Sequence, residues 1–302
     1  MKTKFLEDLD KIDHLAKASK VSRLLKHPFR YVYAISFKEF IYPRNKREKL
    51  ADATLFYGKR MKIALPAATD IFLTGGKSHP SEVRLAKFLV MQLNEGSRFL
   101  DIGAHFGYFT LLASELVGPS GKVVSFEPAG KSYQLLAENT LALNNVTTFK
   151  KAVSNTEDKL TFFEFPNLHS EYNTSDVSQF EGENWFRHSP PVKKEIEATT
   201  IDVIVAEMAF NPAIVKIDVE GAEWNVIQGG REFFQQHSPK IVMEYLAPQR
   251  KNESHRKAHN LLESMGYQSH IIKSDGKLHL IEDIDSYLVT HQLESDNIVF
   301  LK

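Results

Sequence analysis

The sequence predicts an α/β protein built on a mostly parallel sheet, and three observations predict it. Seven short apolar segments, "RFLDIG", "KVVSFEP", "TTFKKAVS", "AIVKIDVEG", "KIVMEYL", "YQSHIIK" and "NIVFLK", recur through the later part of the chain. Most are separated by segments of helical period that start near Gly107, Gly130, Ala222 and His255. Runs that are apolar throughout, with helices between them, mark strands covered on both faces. Third, several of these strands end on an acid, Asp101, Glu127 and Asp218 among them.

Taken in order, Phe5, Leu6, Leu9, Ile12, Leu15 and Ala16, then Val21, Leu24 and Leu25, recur at helical spacing and predict one amphipathic helix or a pair. The pattern loosens from Tyr31 to Phe40. "KIALPAATDIFLTGG" reads as short strands interrupted by Pro66 and the Gly75-Gly76 turn. Helical period returns at Ser81–Leu93, behind the N-cap candidate Ser81 and Glu82. "KLTFFEF", Lys159–Phe165, follows a strand across the polar turn Asn155–Asp158 and predicts a hairpin insertion. The polar, aromatic stretch Pro166–Pro191, with His169, Trp185, Phe186 and His188, is long for a compact domain and reads as a lid or binding segment. The division expected is an N-terminal extension of helix and short strands over 1–80 and a catalytic domain over 81–302.

Composition narrows the class. The 302 residues contain 38 Lys and Arg against 38 Asp and Glu, so whole-chain charge gives no argument for a nucleic-acid partner. Cysteine is absent, which excludes disulfides, thiolate metal sites and cysteine nucleophiles. The N-terminus carries acids throughout and lacks a signal-peptide core, and no apolar run reaches the roughly 18 residues of a membrane span. A cytoplasmic location is expected, at most peripheral to a membrane. Charge is uneven, however: Lys20–Lys62 holds twelve Lys and Arg against three acids, interleaved with aromatic residues. That segment is either a basic surface paired with the acidic remainder or a contact for an anionic membrane or glycolipid.

In open parallel sheets, ligands sit beyond the carboxyl ends of the strands. "FLDIGAHFG" puts Asp101 at such an end, and Gly103 and Gly107 allow a tight turn into a helix whose free N–H groups face a bound molecule. The spacing Gly-x-x-x-Gly is neither a dinucleotide fingerprint nor a triphosphate loop. The second strand ends in "SFEP", where the Glu127 carboxylate can accept from two vicinal ribose hydroxyls. A nucleoside-containing cofactor follows from the two acids together.

"FLDIGAHFGYFT", "KVVSFEPAGKSYQLLAEN", "FKKAVSN", "IVKIDVEGAEWNVIQGG" and "KIVMEY" together resemble the successive signature segments of the FkbM-type family of S-adenosylmethionine-dependent methyltransferases, over roughly Lys62–Lys302. The resemblance implies the class I methyltransferase fold, a Rossmann-like seven-stranded sheet with an antiparallel last strand. It also implies O-methylation of sugars or complex natural products. By the same resemblance Asp101, Gly103 and Ala104 line the methionine end of the cofactor, with Gly107 and Asp218 nearby. Glu127 binds ribose with Pro128 beside it, and Ala152, Val153 and Ser154 lie against adenine. Ser154 can equally cap the turn through Asn155. His105 stands where the family usually has Asn, and reads as a cofactor contact, a turn cap or a base.

Methyl transfer to an unactivated alcohol, of pKa ~15.7, needs a proton acceptor or a metal. Asp218, Glu220 and Glu244 sit at adjoining strand ends, with Glu220 the first candidate for base or hydroxyl contact. Glu223 is either a first-turn acid favoured by the helix dipole or a fourth member. Oxygen ligands there would suit Mg²⁺ or Ca²⁺, but no metal site is assigned. His255 and His259, four apart, read as part of a charged, solvated helix face, and Trp224 as packing or as a border of the acceptor pocket. Two other functions fit the fold: an NAD-dependent oxidoreductase, against which the glycine spacing argues, and a non-catalytic binding protein that kept the fold, against which the intact acids argue.

Overall fold

A computed structural model describes the chain except residues 27, 176, 178–179 and 181–183. The N-terminal segment forms helices α1 (Lys2–Lys17), α2 (Lys20–Lys26) and α3 (Pro28–Ser36), a π-helical turn at Phe37–Ile41 and the short α4 (Tyr42–Asn45). The early apolar spacing therefore makes a pair of helices. Tyr31–Phe40 is helical too, its period blurred because a π turn adds a residue and shifts the face. A hairpin of β1 (Lys49–Thr54) and β2 (Arg60–Leu65) follows, then α5 (Thr69–Thr74). "KIALPAATDIFLTGG" is thus a strand and then a helix, not a run of strands. Helix α6 (Pro80–Gln92) starts just before Ser81, with His79 at its N-cap and Pro80 in its first turn, where a missing N–H costs nothing.

Beyond α6 come β3 (Arg98–Ile102), α7 (Tyr108–Val117), β4 (Lys122–Phe126), α8 (Gly130–Thr140), β5 (Val146–Phe149), β6 (Ala152–Val153) and β7 (Lys159–Glu164). A 3₁₀ turn at Asn167–Tyr172 leads to α9 (Asn184–His188), β8 (Val192–Thr199), α10 (Ile201–Glu207), β9 (Ile214–Ile217), α11 (Glu223–Gln228) and α12 (Arg231–Gln236). The chain closes with β10 (Lys240–Leu246), α13 (Glu253–Ser264), β11 (Gln268–Ile272), β12 (Leu278–Leu280), α14 (Ile284–Thr290) and β13 (Ser295–Leu301).

The main sheet runs β12-β11-β13-β10-β9-β3-β4-β5. Strands β10, β9, β3, β4 and β5 are parallel, and the last strand, β13, is antiparallel to both β10 and β11. These seven strands are the expected class I methyltransferase sheet. An eighth, β12, extends the edge by pairing antiparallel with β11. It follows the Asp275-Gly276 turn and is too short to show a period.

Successive strand residues enter two different cores. Phe99, Val123, Ile214, Val242 and Val299 join the cluster that contains Leu89 of α6 and Leu112 of α7. Their neighbours Leu100, Val124, Val215, Ile241 and Ile298 join the cluster with Ile204, Val226 and Leu262 of α10, α11 and α13. With both pleat faces buried, alternation disappears from the sequence. Phe5, Leu9 and Ile12 of α1 belong to the first cluster, so the N-terminal helix packs into the core of the domain.

The hairpin expected at "KLTFFEF" does not form. β7 pairs antiparallel with β8, and β8 pairs parallel with Ala152–Val153, giving a second, three-stranded sheet. "TTFKKAVS" is correspondingly split between the two sheets. In Pro166–Pro191, Tyr172, Phe180 and Trp185 make an aromatic cluster with the preceding Phe165, and His169 stacks on Trp185 at 4.2 Å. Residues 176, 178–179 and 181–183 of that stretch lie outside the described residues.

Candidate active site

The turn after β3 determines the shape of the site. Gly103 has φ +76°, and a β-carbon there would lie 1.8 Å from the carbonyl oxygen of Asp218 on the neighbouring strand end. Only glycine lets the two strand ends approach so closely. The N–H groups of Gly103 and Ala104 both donate to the Phe126 carbonyl at 3.0 Å. His105 follows at φ +50°, a conformation that Asn and His adopt more readily than most residues. Gly107, at φ +93°, is the N-cap of α7.

The His105 N–H donates to Glu127 Oε2 at 2.8 Å, and the Ala129 N–H donates to Oε1 at 2.9 Å. Each carboxylate oxygen thus holds one backbone donor and retains capacity for another. Burial pushes Glu127 up to about 7 against these two bonds. The His105 ring stacks on Phe106, and its Nε2 lies 3.0 Å from Ser170 Oγ. Burial lowers His105 to about 4, so the imidazole is neutral near pH 7.

Beside this turn, beyond the parallel strand ends, opens a cavity of about 550 Å³. Gly103, His105, Glu127, Pro128, Ala152 and Val153 line it, as do Asp218, Glu220 and Glu244. The structure thereby brings together most of the residues singled out in the sequence. Asp101, Ala104, Gly107 and Ser154 are not in that wall. Asp101 is fully buried beneath it, accepting from Thr110 Oγ1 at 2.7 Å and lying 3.4 Å from the Lys216 ammonium. Ala104 borders only a small pocket behind the turn. The Ser154 hydroxyl lies 3.4 Å from Asn155 Oδ1, the turn-capping alternative.

The acids differ in charge state. One oxygen from each of Asp218, Glu220 and Glu244 lies within 4.8 Å of the others. Burial works to raise Asp218, but Lys216 at 3.3 Å, together with Lys77, outweighs it and holds Asp218 below its ordinary value. Burial, reinforced by Glu244 and Asp218, pushes Glu220 well above the carboxylate range. Burial with Asp218 pushes Glu244 up to about 8. Glu220 also has φ +54° and precedes Gly221 at φ +98°, a strained backbone for a residue other than glycine, and its side chain lines the cavity.

Sequence reasoning missed the cations. Lys216 is buried on β9 and donates to the Gly103 carbonyl at 3.2 Å, between Asp101 and Asp218. Lys77 pairs with Glu82 and lies 3.4 Å from Glu171, in the cavity wall. Burial and nearby carboxylates carry Glu82 up to about 7. A lysine inside "IVKID" was the available signal for Lys216. Lys77 and Glu171 had none beyond the length of the Pro166–Pro191 stretch.

Glu223 is the first-turn acid of α11 and not part of the cavity lining. It is buried, and its Oε1 accepts the N–H groups of Val219 and Gly221 at 3.4 and 3.3 Å, bracing the loop that carries Glu220. His255 corrects the reading of a solvated helix face: it is buried, with Nε2 3.1 Å from Glu223 Oε2. Trp224 is half-buried on α11 outside the cavity wall.

No curated protein matches the chain. Among solved structures it is similar to the methyltransferase FkbM from Methylobacillus flagellatus KT, at 16% identity over 78% of this chain and 53% of that one, with a TM-score of 0.41. It is similar also to fibrillarin from Aeropyrum pernix in complex with natively bound S-adenosyl-L-methionine, at 15% identity, 72% and 74% coverage and a TM-score of 0.39. A third is an S-adenosylmethionine-dependent O-methyltransferase from Thermotoga maritima, at 13% identity, 84% and 77% coverage and a TM-score of 0.40. The chain spans about half the length, 53%, of the first of these proteins. The sequence profile of the methyltransferase FkbM domain matches residues 101–269, more than half of the chain. The chain belongs to the FkbM family of S-adenosylmethionine-dependent methyltransferases.

Proposed function

We propose that the protein transfers the methyl group of S-adenosylmethionine to a hydroxyl oxygen of a saccharide, a glycoconjugate or another natural product, with Glu220 as the base. The observation that carries this is the pair Glu220 and Glu244, two carboxylates of raised proton affinity at adjoining strand ends in the cavity wall.

The residues fit the cofactor. Glu127 faces the cavity with unused acceptor capacity for a pair of ribose hydroxyls, and an acid-rich wall suits a cation. Gly103, His105, Pro128, Ala152 and Val153 complete that side, while Asp101, Ala104, Gly107 and Ser154 support it from behind. When bound, the cofactor supplies a methyl group already activated on a sulfonium. The protein must position the acceptor and take its proton. With Glu220 raised well above the carboxylate range and Glu244 to about 8, burial and the neighbouring acids keep both protonated near pH 7. Any cation in the cavity draws the pair toward its ionised form and readies Glu220 to accept. Asp218, kept ionised by Lys216 and Lys77, orients the incoming hydroxyl.

Mass spectrometry after incubation with labelled cofactor and a panel of glycans and lipids tests the reading. A methylated hydroxyl is expected, and transfer confined to nitrogen would overturn it. Glu220→Gln should bind S-adenosylhomocysteine as wild type does and slow transfer by roughly a hundredfold or more. Unchanged turnover would remove Glu220 from the role. Activity should persist in EDTA; loss restored by Mg²⁺ would reassign the three carboxylates as metal ligands.

A further inference from the structure

We propose that α3 and the π turn after it form a docking surface for an anionic lipid bilayer. The helical period of this segment leaves an apolar face exposed among the described residues. Ala34 and Phe37 are buried against the domain and the Tyr33 ring leans on Phe72 of α5 at 6.2 Å, while Leu25, Phe29, Val32, Phe40 and Ile41 are exposed. Phe29 is 89% and Leu25 75% exposed. Of the thirteen large apolar side chains exposed among the described residues, seven fall between Leu25 and Leu50. Four of them, Phe29, Val32, Tyr33 and Ile41, are contiguous and with Pro28 surround one shallow concavity. Isolated exposed apolar residues are ordinary, but a cluster of this size marks a surface that something covers.

Charge identifies the occupant. From Lys20 to Arg47 eight Lys and Arg stand against one acid, Glu39. Lys26, Arg30, Lys38, Arg44 and Arg47 are exposed in the same segment. A second copy of the same face would bring two strongly positive surfaces together, which self-association does not favour. Exposed Phe and Leu among Lys and Arg is the composition that seats a helix in the headgroup region, apolar side inward and cations on anionic phosphates. The surface connects to the cavity: the Leu168 N–H donates to the Tyr42 hydroxyl at 3.2 Å, tying α4 to the 3₁₀ turn that carries Ser170 and Glu171. Bilayer contact thereby holds one wall of the cavity beside the lipid surface.

The test is co-sedimentation of the full chain with phosphatidylglycerol/phosphatidylcholine vesicles and with pure phosphatidylcholine vesicles, at low and high salt. Binding is expected to the anionic vesicles alone and to fall steeply with salt, as charges are screened beyond ~8–10 Å. Phe29→Ser with Phe40→Ser, and separately Arg44→Gln with Arg47→Gln and Lys49→Gln, should each weaken it roughly tenfold or more. All five positions are exposed, so wild-type thermal unfolding is expected in both variants. S-adenosylhomocysteine binding in the same samples reports on the cofactor site separately. Absence of binding, equal binding to neutral vesicles, or wild-type binding by both variants would overturn the proposal. So would a dimer in sedimentation velocity that the double serine variant abolishes, since a second copy would then cover the face.

Discussion

Lys216 carries two jobs with one ammonium. Sealed inside the sheet, it neutralises Asp101 and Asp218 and holds the Gly103 carbonyl, so it fixes the turn while keeping one cavity carboxylate ionised. Burial alone would lower its proton affinity, but the two carboxylates outweigh that and raise it. Asp101→Ala should therefore act through stability as well as through cofactor affinity. It removes a partner of Lys216 and of Thr110 at a fully buried position, a loss of roughly 3 kcal/mol. Urea unfolding should show it, and a variant as stable as wild type would place Asp101 outside the load path. Glu244 gives a prediction in pH. Its folded value, about 8, lies above the ordinary carboxylate value, so the folded state holds the proton more tightly than the unfolded chain. That contribution is complete at acid pH and is lost as pH rises through about 8. Glu244→Gln cannot lose it, so the melting temperature of the variant should gain on wild type between pH 5 and 9. A gap that stays constant would contradict the burial argument. The acids of this site were legible because apolar strands deliver them to one edge. Lys77, Glu82 and Glu171 were not, since they reach the cavity from segments far apart in sequence and their pairing exists only after folding.

Between elements, a tight fit lies where the paired parallel strands β3 and β9 end side by side. Gly103→Ala forces a β-carbon against the Asp218 carbonyl and a positive φ on alanine, costing about 3 kcal/mol by overpacking and strain. Reduced thermal stability with loss of S-adenosylhomocysteine binding is expected. Full retention of both would show that the strand ends can separate. The parallel strands and the helices at Gly107, Gly130 and Ala222 could be read from sequence because their signals are local: doubly covered runs and glycine turns. The partner of β7 could not. A polar four-residue turn after a strand favours the hairpin locally, and what defeats it is pairing with β8, some thirty residues farther on. The helical character of Tyr31–Phe40 was hidden for another reason, the extra residue of the π turn breaking the 3.6 period.

For the whole molecule, zero net charge conceals a division. The excess of nine positive charges in Lys20–Lys62 balances an equal negative excess in the remainder, because residues 1–19 hold four of each sign. Composition alone erases this, and only position along the chain reveals it. No helix among the described residues is long and apolar enough to cross a membrane. The small sheet has a different kind of consequence. The chain leaves the main framework at Ala152–Val153 and returns beside it at Ala198–Thr199. The excursion between these two adjacent strand pairs includes Ser170, Glu171 and Tyr172 of the cavity wall, which side-chain contacts such as Leu168–Tyr42 and Glu171–Lys77 hold in place. Doubling the length of such a closed excursion costs only about 0.6 kcal/mol in closure entropy. The length of the excursion is thus a cheap variable: residues can be added to it at little closure cost without moving the strands of the main sheet.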